Sequence, residues 1–362
     1  MNRLFLKSIR LFPLQVMLAF FLAIITPLVF FSPKAAYASI PKKTVGYLVY
    51  WNKTAGLQTI DNNVSVFSEI SPWAYTASAS GDVVVDPSGG SNITDSTTRS
   101  HLASLNLIVV PTIHNLINGS WDGTTIHNIL SDSQIRAHHI DSIVNMIDAY
   151  HYDGVDIDYE NLQSGDRDAY SSFIHDLATR LHQQHYILAV DVYGKTSEPG
   201  DWNGPQAQDY QSLGQSADEV RIFLYDYNPG TTGPIAPYSW TSNVIAFAKT
   251  KISAAKIIQG VPLYGYDWAG SNYPTTLTWA GATATASQNS ATVNFDSTDH
   301  APNYTYSSGG VNHTVWFENQ QSTGYKLDLT NNYDIGGVTF WNVGNEDPGT
   351  WNTVNNKLNL VR

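Results

Sequence analysis

Eight consecutive residues, Asp153-Gly154-Val155-Asp156-Ile157-Asp158-Tyr159-Glu160, bring four carboxylates together. In an extended strand the side chains alternate faces with a period of two. Asp156, Asp158 and Glu160 then share one face, and Val155, Ile157 and Tyr159 share the other. Carboxylates held side by side repel, so at least one keeps its proton near neutral pH. Folding gains nothing from that arrangement. Cleavage of a glycosidic bond does, because it needs a protonated carboxyl beside ionised ones. Alternating acids can also hold calcium in a loop. Here the residues between them are Val, Ile and Tyr, which favour a strand. Gly154 precedes the acidic run and does not occupy the loop position an EF-hand requires.

A strand with such a face needs a frame that buries the other one. Apolar, β-branched runs recur at 45–50, 70–75, 107–113, 154–159, 186–192, 220–225, 256–263 and 337–341. Helical patterns lie between them. Ile140, Ile143, Val144 and Ile147 form one i, i+3, i+4, i+7 stripe, and Tyr170, Phe173, Ile174, Leu177 and Leu181 form another. Strand and helix alternating eight times predict an α/β fold, the (β/α)8 or TIM barrel. Residues 269–314, rich in Thr, Ser, Asn, Gly and Tyr, break the alternation. They are expected to form a small, largely β or α+β insertion between strands seven and eight.

Polar and aromatic residues gather where the strands end. Tyr75 ends the second, Glu160 the fourth, Tyr225-Asp226-Tyr227 the sixth, Tyr264-Gly265-Tyr266-Asp267-Trp268 the seventh and Trp341-Asn342 the eighth. In such barrels the active site lies at the carboxyl ends of the strands. One acidic, aromatic-walled pocket is therefore expected, with Tyr47, Tyr75, Tyr264 and Asp226 as candidate substrate contacts.

The first 38 residues read as a signal peptide. Arg3, Lys7 and Arg10 form a basic start, 11–31 is apolar, and Ala36-Tyr37-Ala38 is a small-x-small cleavage site. Pro13, Gln15 and Pro27 interrupt the apolar run, which disfavours an uncleaved membrane anchor. The expectation is an exported protein, released or retained at the cell wall, whose 39–362 segment is the catalytic barrel. Loss of Arg3, Lys7, Arg10 and Lys34 moves the formal charge from −12 to −16. So acidic a protein is a poor match for nucleic acid or anionic lipid. A neutral sugar polymer suits it better, and 21 Tyr and 10 Trp supply rings on which sugars can stack.

Other chemistries lack their residues. The chain has no cysteine, hence no disulfide and no thiolate nucleophile. The histidines lack metal-ligand spacing, and the adjacent His138 and His139 are expected on a helix surface. No glycine-rich phosphate loop suggests a nucleotide, and no G-x-S-x-G elbow is present. No metal and no cofactor are expected, and the chain is expected to act as a monomer.

Asp153, Asp156, Asp158 and Glu160 match the D-x-x-D-x-D-x-E signature of glycoside hydrolase family 18, the chitinase family. Leu224-Tyr225-Asp226 resembles the family's sixth-strand Tyr-Asp pair, and Trp341 falls where the family has a tryptophan on its last strand. The chain resembles most the branch holding bacterial spore-cortex N-acetylglucosaminidases and their chitinase-like relatives. Segments 233–237, 262–268 and 313–318 carry that likeness. It departs from many members on strand three. Where they have Ser-x-Gly-Gly, it reads Pro111-Thr112-Ile113-His114-Asn115.

The resemblance implies a hydrolase of β-1,4-linked N-acetylglucosamine polymers, either chitin or the peptidoglycan glycan, using a retaining, substrate-assisted mechanism. Glu160 would protonate the glycosidic oxygen while the sugar's own 2-acetamido group attacks the anomeric carbon. Water would then open the oxazolinium intermediate with Glu160 as base. Asp158 would hold the acetamide N–H, Asp156 would share a proton with Asp158, and Tyr225 would donate to the acetamide oxygen. Trp341 would floor the site, Asp226 would contact the sugar, and Asp153 would bond nearby backbone. The alternative is a chitinase-like lectin, a class that typically lacks one of these acids. All four are present here.

Overall fold

Eight parallel strands close on one another, here numbered β1 (Lys43–Val49), β2 (Glu69–Ala77), β3 (Thr112–His114), β4 (Gly154–Asp158), β5 (Ile187–Tyr193), β6 (Glu219–Phe223), β7 (Ile257–Pro262) and β8 (Gly337–Trp341). Each pairs with the next, and β8 returns to β1, completing the expected TIM barrel. This computed structural model describes residues 39–270 and 273–361. The expected leader therefore lies outside the described residues. Among those described, no helix is long and apolar enough to cross a membrane.

The helices form where the stripes place them. Ser133–Tyr150 starts at Asp132, whose carboxylate accepts from the Gln134 and Ile135 N–H groups at 2.8 and 3.1 Å. Such a cap satisfies backbone donors that the first turn leaves free. The helix ends at His151, whose φ of 56° is left-handed. All four stripe residues of this helix are buried, as are all five of Arg167–His182. Each buried Leu or Ile stabilises the fold by roughly 1.5–3 kcal/mol. Val155, Ile157 and Tyr159 join the same core, so β4 presents one apolar and one acidic face. At the entry to β4, Gly154 is required by a close approach. A Cβ there would lie 2.2 Å from the Ile187 carbonyl oxygen.

Three local departures from expectation have physical causes. The third strand is interrupted, with Ile108–Val109 and Thr112–His114 pairing separately, because Pro111 has no N–H to give to the ladder. On β2 the register shifts between Trp73 and Tyr75, so one residue of alternation is lost. His139 is not on the surface but fully buried. It bonds Tyr159 at 2.5 Å and the Gly81 carbonyl at 2.8 Å, and burial pushes its pKa down to about 4. His138, its neighbour, is exposed and pairs with Asp82 at 2.7 Å.

Between β7 and β8 the chain forms an antiparallel sheet of five strands, Tyr264–Ala269, Thr275–Thr278, Asn294–Asp296, Ala301–Ser308 and Val311–Phe317, with the helix Trp279–Gln288. The first of these strands starts directly after β7, earlier than the composition suggested. Tyr264, Tyr266 and Trp268 alternate onto one face and pack with Ile235.

Candidate active site

The acidic face of β4 points into the barrel and meets groups from the other strands. Asp156, the deepest, is fully buried. Its Oδ2 accepts from Thr112 Oγ1 at 2.8 Å and Tyr47 at 3.3 Å, and lies 3.3 Å from Arg221 Nη1. Asp158, one pleat nearer the mouth, accepts from the Trp73 indole N–H at 3.1 Å through Oδ2. Its Oδ1 is buried and has no hydrogen-bond partner among the described residues. Burial, with Glu160 next, holds the Asp158 pKa well above the ordinary carboxyl range.

Glu160 lies just past β4, where the backbone leaves the ladder. Asn115 fixes it there. The Asn115 side-chain oxygen accepts from the Glu160 N–H at 2.9 Å, and its amide donates to the Glu160 carbonyl at 2.9 Å. The segment that departs from the Ser-x-Gly-Gly pattern thus supports the site with its own residues. Thr112 bonds Asp156, His114 stacks on Trp73 at 3.5 Å, and Asn115 holds the Glu160 backbone. The Glu160 carboxylate accepts from the Tyr193 hydroxyl at 2.5 Å. Burial pushes its pKa up to about 7. The Tyr193 bond pulls the other way, and Asp226 adds to the rise.

Two charged residues of the site were not among the sequence candidates. Asp191 on β5 is buried, and both its oxygens accept from Tyr47 at 2.8 Å. Burial and the charges of Asp156 and Asp158 hold its pKa well above normal. Arg221 on β6 is fully buried and pairs with Glu69, with Glu219 at 2.9 Å and with Asp156. Lys43 reaches Glu219 from outside. Two cations thus face three carboxyls, and Glu69, raised by burial to about 8, keeps the proton that balances them. The signal for both residues was present in the sequence. Asp191 stands alone in a strand of apolar residues, Arg221 shares an otherwise apolar strand with Glu219, and a buried charge needs partners.

The remaining candidates divide. Tyr225 and Trp341 face the cleft with Asp158, Glu160 and Asp191. Burial, then Asp191 and Asp158, keeps the Tyr225 phenol neutral, hence a donor. Trp341 packs edge-on to Tyr47 at 5.3 Å, Trp73 at 5.9 Å and Trp51 at 6.2 Å. Asp226 follows β6 with a left-handed φ of 52°, a strained conformation for a non-glycine residue that recurs at functional sites. It is open at the strand end, yet Tyr264 and Tyr266 close over its carboxyl and both donate to Oδ1, the latter at 2.6 Å. Tyr47 sits beneath the site as the link between Asp156 and Asp191. Asp153 is turned to the barrel's other end, where its carboxylate accepts from the Val109 N–H at 2.7 Å. Tyr75 is the exception. It faces away from the cleft and bonds the Tyr152 hydroxyl at 3.0 Å. The register shift on β2 gives its place in the cleft to Trp73.

The cleft has three adjoining parts. A central space of about 210 Å³ lies over Asp158, Glu160, Tyr225 and Trp341. A larger one of about 480 Å³ extends past Trp341 towards Tyr264, Tyr266 and Thr276–Thr278 of the insertion. A third, about 230 Å³, lies beyond Glu160 and is walled by Tyr193, Trp202, Tyr227 and Trp240. Among the described residues, no cluster of three or more His or acidic groups has metal-binding geometry.

The closed barrel thus places Asp158 and Glu160 in an aromatic cleft, with Asp156 buried beneath them. The chain belongs to the glycosyl hydrolases family 18, whose model matches residues 43–346. It is a glycoside hydrolase. It is 27% identical over 337 residues to the cortical fragment-lytic enzyme of Bacillus subtilis, covering 89% of this chain and 76% of that one. Among solved structures, it resembles a chitinase from Chromobacterium violaceum, with a TM-score of 0.80 at 26% identity, over 88% of this chain and 98% of that one. It also resembles the spore cortex-lytic enzyme SleL of Bacillus cereus, with a TM-score of 0.81 at 25% identity, over 90% of this chain and 76% of that one.

Proposed function

We propose that the protein is an exported hydrolase of β-1,4-linked N-acetylglucosamine glycans that retains anomeric configuration by substrate assistance. The observation that carries this reading is the division of labour between Glu160 and Asp158. Glu160, with a pKa near 7, can hold a proton at the mouth of the cleft and release it to a leaving oxygen. Asp158, one pleat deeper, has an unpartnered Oδ1 that would accept the N–H of an acetamide folded under its own ring once its proton has passed to Asp156. Tyr225, a neutral donor beside it, suits the acetamide oxygen. Holding that internal nucleophile in place contributes several kcal/mol of barrier reduction. Asp156 and Asp191, tied through Tyr47, form the reservoir with which Asp158 exchanges its proton. A lectin would have no use for a carboxyl poised in this way.

The direct test is proton NMR of fresh products from chito-oligosaccharides. The β-anomer is expected first, and an initial α-anomer would overturn the mechanism. A pH profile tests the role of Glu160 further. Its protonated form is the active acid, so kcat/KM should fall as pH rises through about 7. The Tyr193 bond favours the ionised form, so Tyr193→Phe should move that alkaline limb to higher pH. A limb that stays in place would remove Tyr193 from this role.

A further inference from the structure

The three parts of the cleft are not equivalent with respect to Glu160. It lines the central space and the Trp202–Trp240 space, but not the space beside the insertion. In the reading proposed above, on which this inference rests, the reacting sugar occupies the central space over Trp341. The oxygen that Glu160 protonates belongs to the neighbouring unit. That unit must therefore enter the chamber beyond Glu160.

The walls of this chamber are aromatic and acidic. Tyr193, Trp202, Phe223, Tyr225, Tyr227 and Trp240 surround Glu160 and Asp226, with Gly194 completing the lining. Trp202 packs edge-on to Tyr193 at 4.6 Å, and Tyr227 lies 5.1 Å from Trp240. Trp202 is 47% and Tyr227 54% exposed, leaving ring surface for a sugar. Among the described residues, no Lys, Arg or His lines any of the three spaces. Lys195, close in sequence, is buried and turned away, bonding Glu198 and the carbonyls of Pro205 and Gln208.

We propose that the leaving-side chamber selects an uncharged sugar and discriminates against one that carries a free carboxylate next to the scissile oxygen. The distinction matters for peptidoglycan. In its glycan strand the leaving oxygen sits on C4 of N-acetylmuramic acid, and the lactyl ether sits on the adjacent C3. A free lactyl carboxylate would thus enter beside Asp226 and a Glu160 that must keep its proton, with no cation to meet it. Desolvating an anion with no counter-charge is costly, and leaving a charge unpaired is an efficient way to reject a ligand. An N-acetylglucosamine unit has only a hydroxyl at that carbon.

The test compares three soluble substrates of equal length with the full mature chain. They are a chito-oligosaccharide, the peptide-free alternating N-acetylglucosamine–N-acetylmuramic acid oligomer, and that oligomer with its lactyl carboxyls methyl-esterified. The expected kcat/KM for the ester exceeds that for the free acid by about tenfold or more. Tyr227→Lys, which places a cation in the chamber, should narrow this ratio by favouring the acid. Equal turnover of acid and ester would overturn the proposal. So would cleavage of the chito-oligosaccharide with neither muramic oligomer attacked, because bulk and not charge would then decide. Failure to cleave all three would overturn the proposed function itself, and this inference with it.

Discussion

Glu160→Gln is expected to lower kcat by on the order of 10³–10⁴-fold, because in the proposed mechanism one side chain supplies both the acid of the first step and the base of the second. The amide keeps the size of the carboxyl but can neither protonate the leaving oxygen nor take a proton from water. Binding should survive, since Trp341, Tyr225, Asp158 and the aromatic walls are untouched. The fold should change little as well. Glu160 is held by Asn115 through its backbone, and its carboxyl makes one bond, to Tyr193. Stability within about 1 kcal/mol of the parent is the expectation. The experiment pairs turnover with calorimetric titration of a chito-oligosaccharide. Lost turnover with retained affinity is the outcome the mechanism requires, and full activity would end it.

Arg221→Met should be the most destabilising single change near the site. Arg221 pairs with Glu69, Glu219 and Asp156 in the barrel interior, where Lys43 reaches only Glu219, and it also donates to Ser71 at 2.7 Å. Removing one partner of a buried ionic cluster typically costs about 3–5 kcal/mol, because the others are left charged and uncompensated. The loss should depend on pH with a definite sign. Burial pushes the Glu219 carboxyl up, while Arg221 and Lys43 outweigh that and hold its pKa below normal. Without Arg221 the orphaned carboxyls would have folded-state pKa values above their unfolded ones. The folded variant then binds more protons than its unfolded chain, so its stability rises as pH falls. Urea midpoints at pH 8 and pH 5 check this. The deficit should be larger at pH 8, and a deficit independent of pH would mean that lost packing, not charge, was the cause.

The β4 motif was legible because its information is local. Alternation in a single strand places Asp156, Asp158 and Glu160 on one face whatever surrounds them. The two helix stripes were legible for the same reason. Tyr75 shows how that logic fails. Simple alternation puts it on the face of Trp73, but the register shift on β2 removes one step and turns it outward. Asp191 and Arg221 illustrate a different limit. A charge set among apolar residues signals burial with partners, but not which ones: Glu219 starts the strand that holds Arg221, and Glu69 starts another. His139 looked like a surface residue beside His138. The helix turns it inward to Tyr159, while its neighbour faces solvent.

By itself, then, the sequence determined the barrel class, the acidic face of one strand and the family to which the signature belongs. All of these depend on periods of two or 3.6 and on a contiguous motif. Only the tertiary structure decided what each carboxyl meets. Tyr47 reaches Asp191 across 144 residues, Trp73 reaches Asp158 across 85, and Tyr193 reaches Glu160 across 33. It also decided that the chamber beyond Glu160 is walled by rings and carboxyls, with no cation among the described residues. Contacts between distant segments are set by barrel closure and loop paths, which no local period encodes. The burial that pushes the Glu160 pKa up to about 7 arises from that closure.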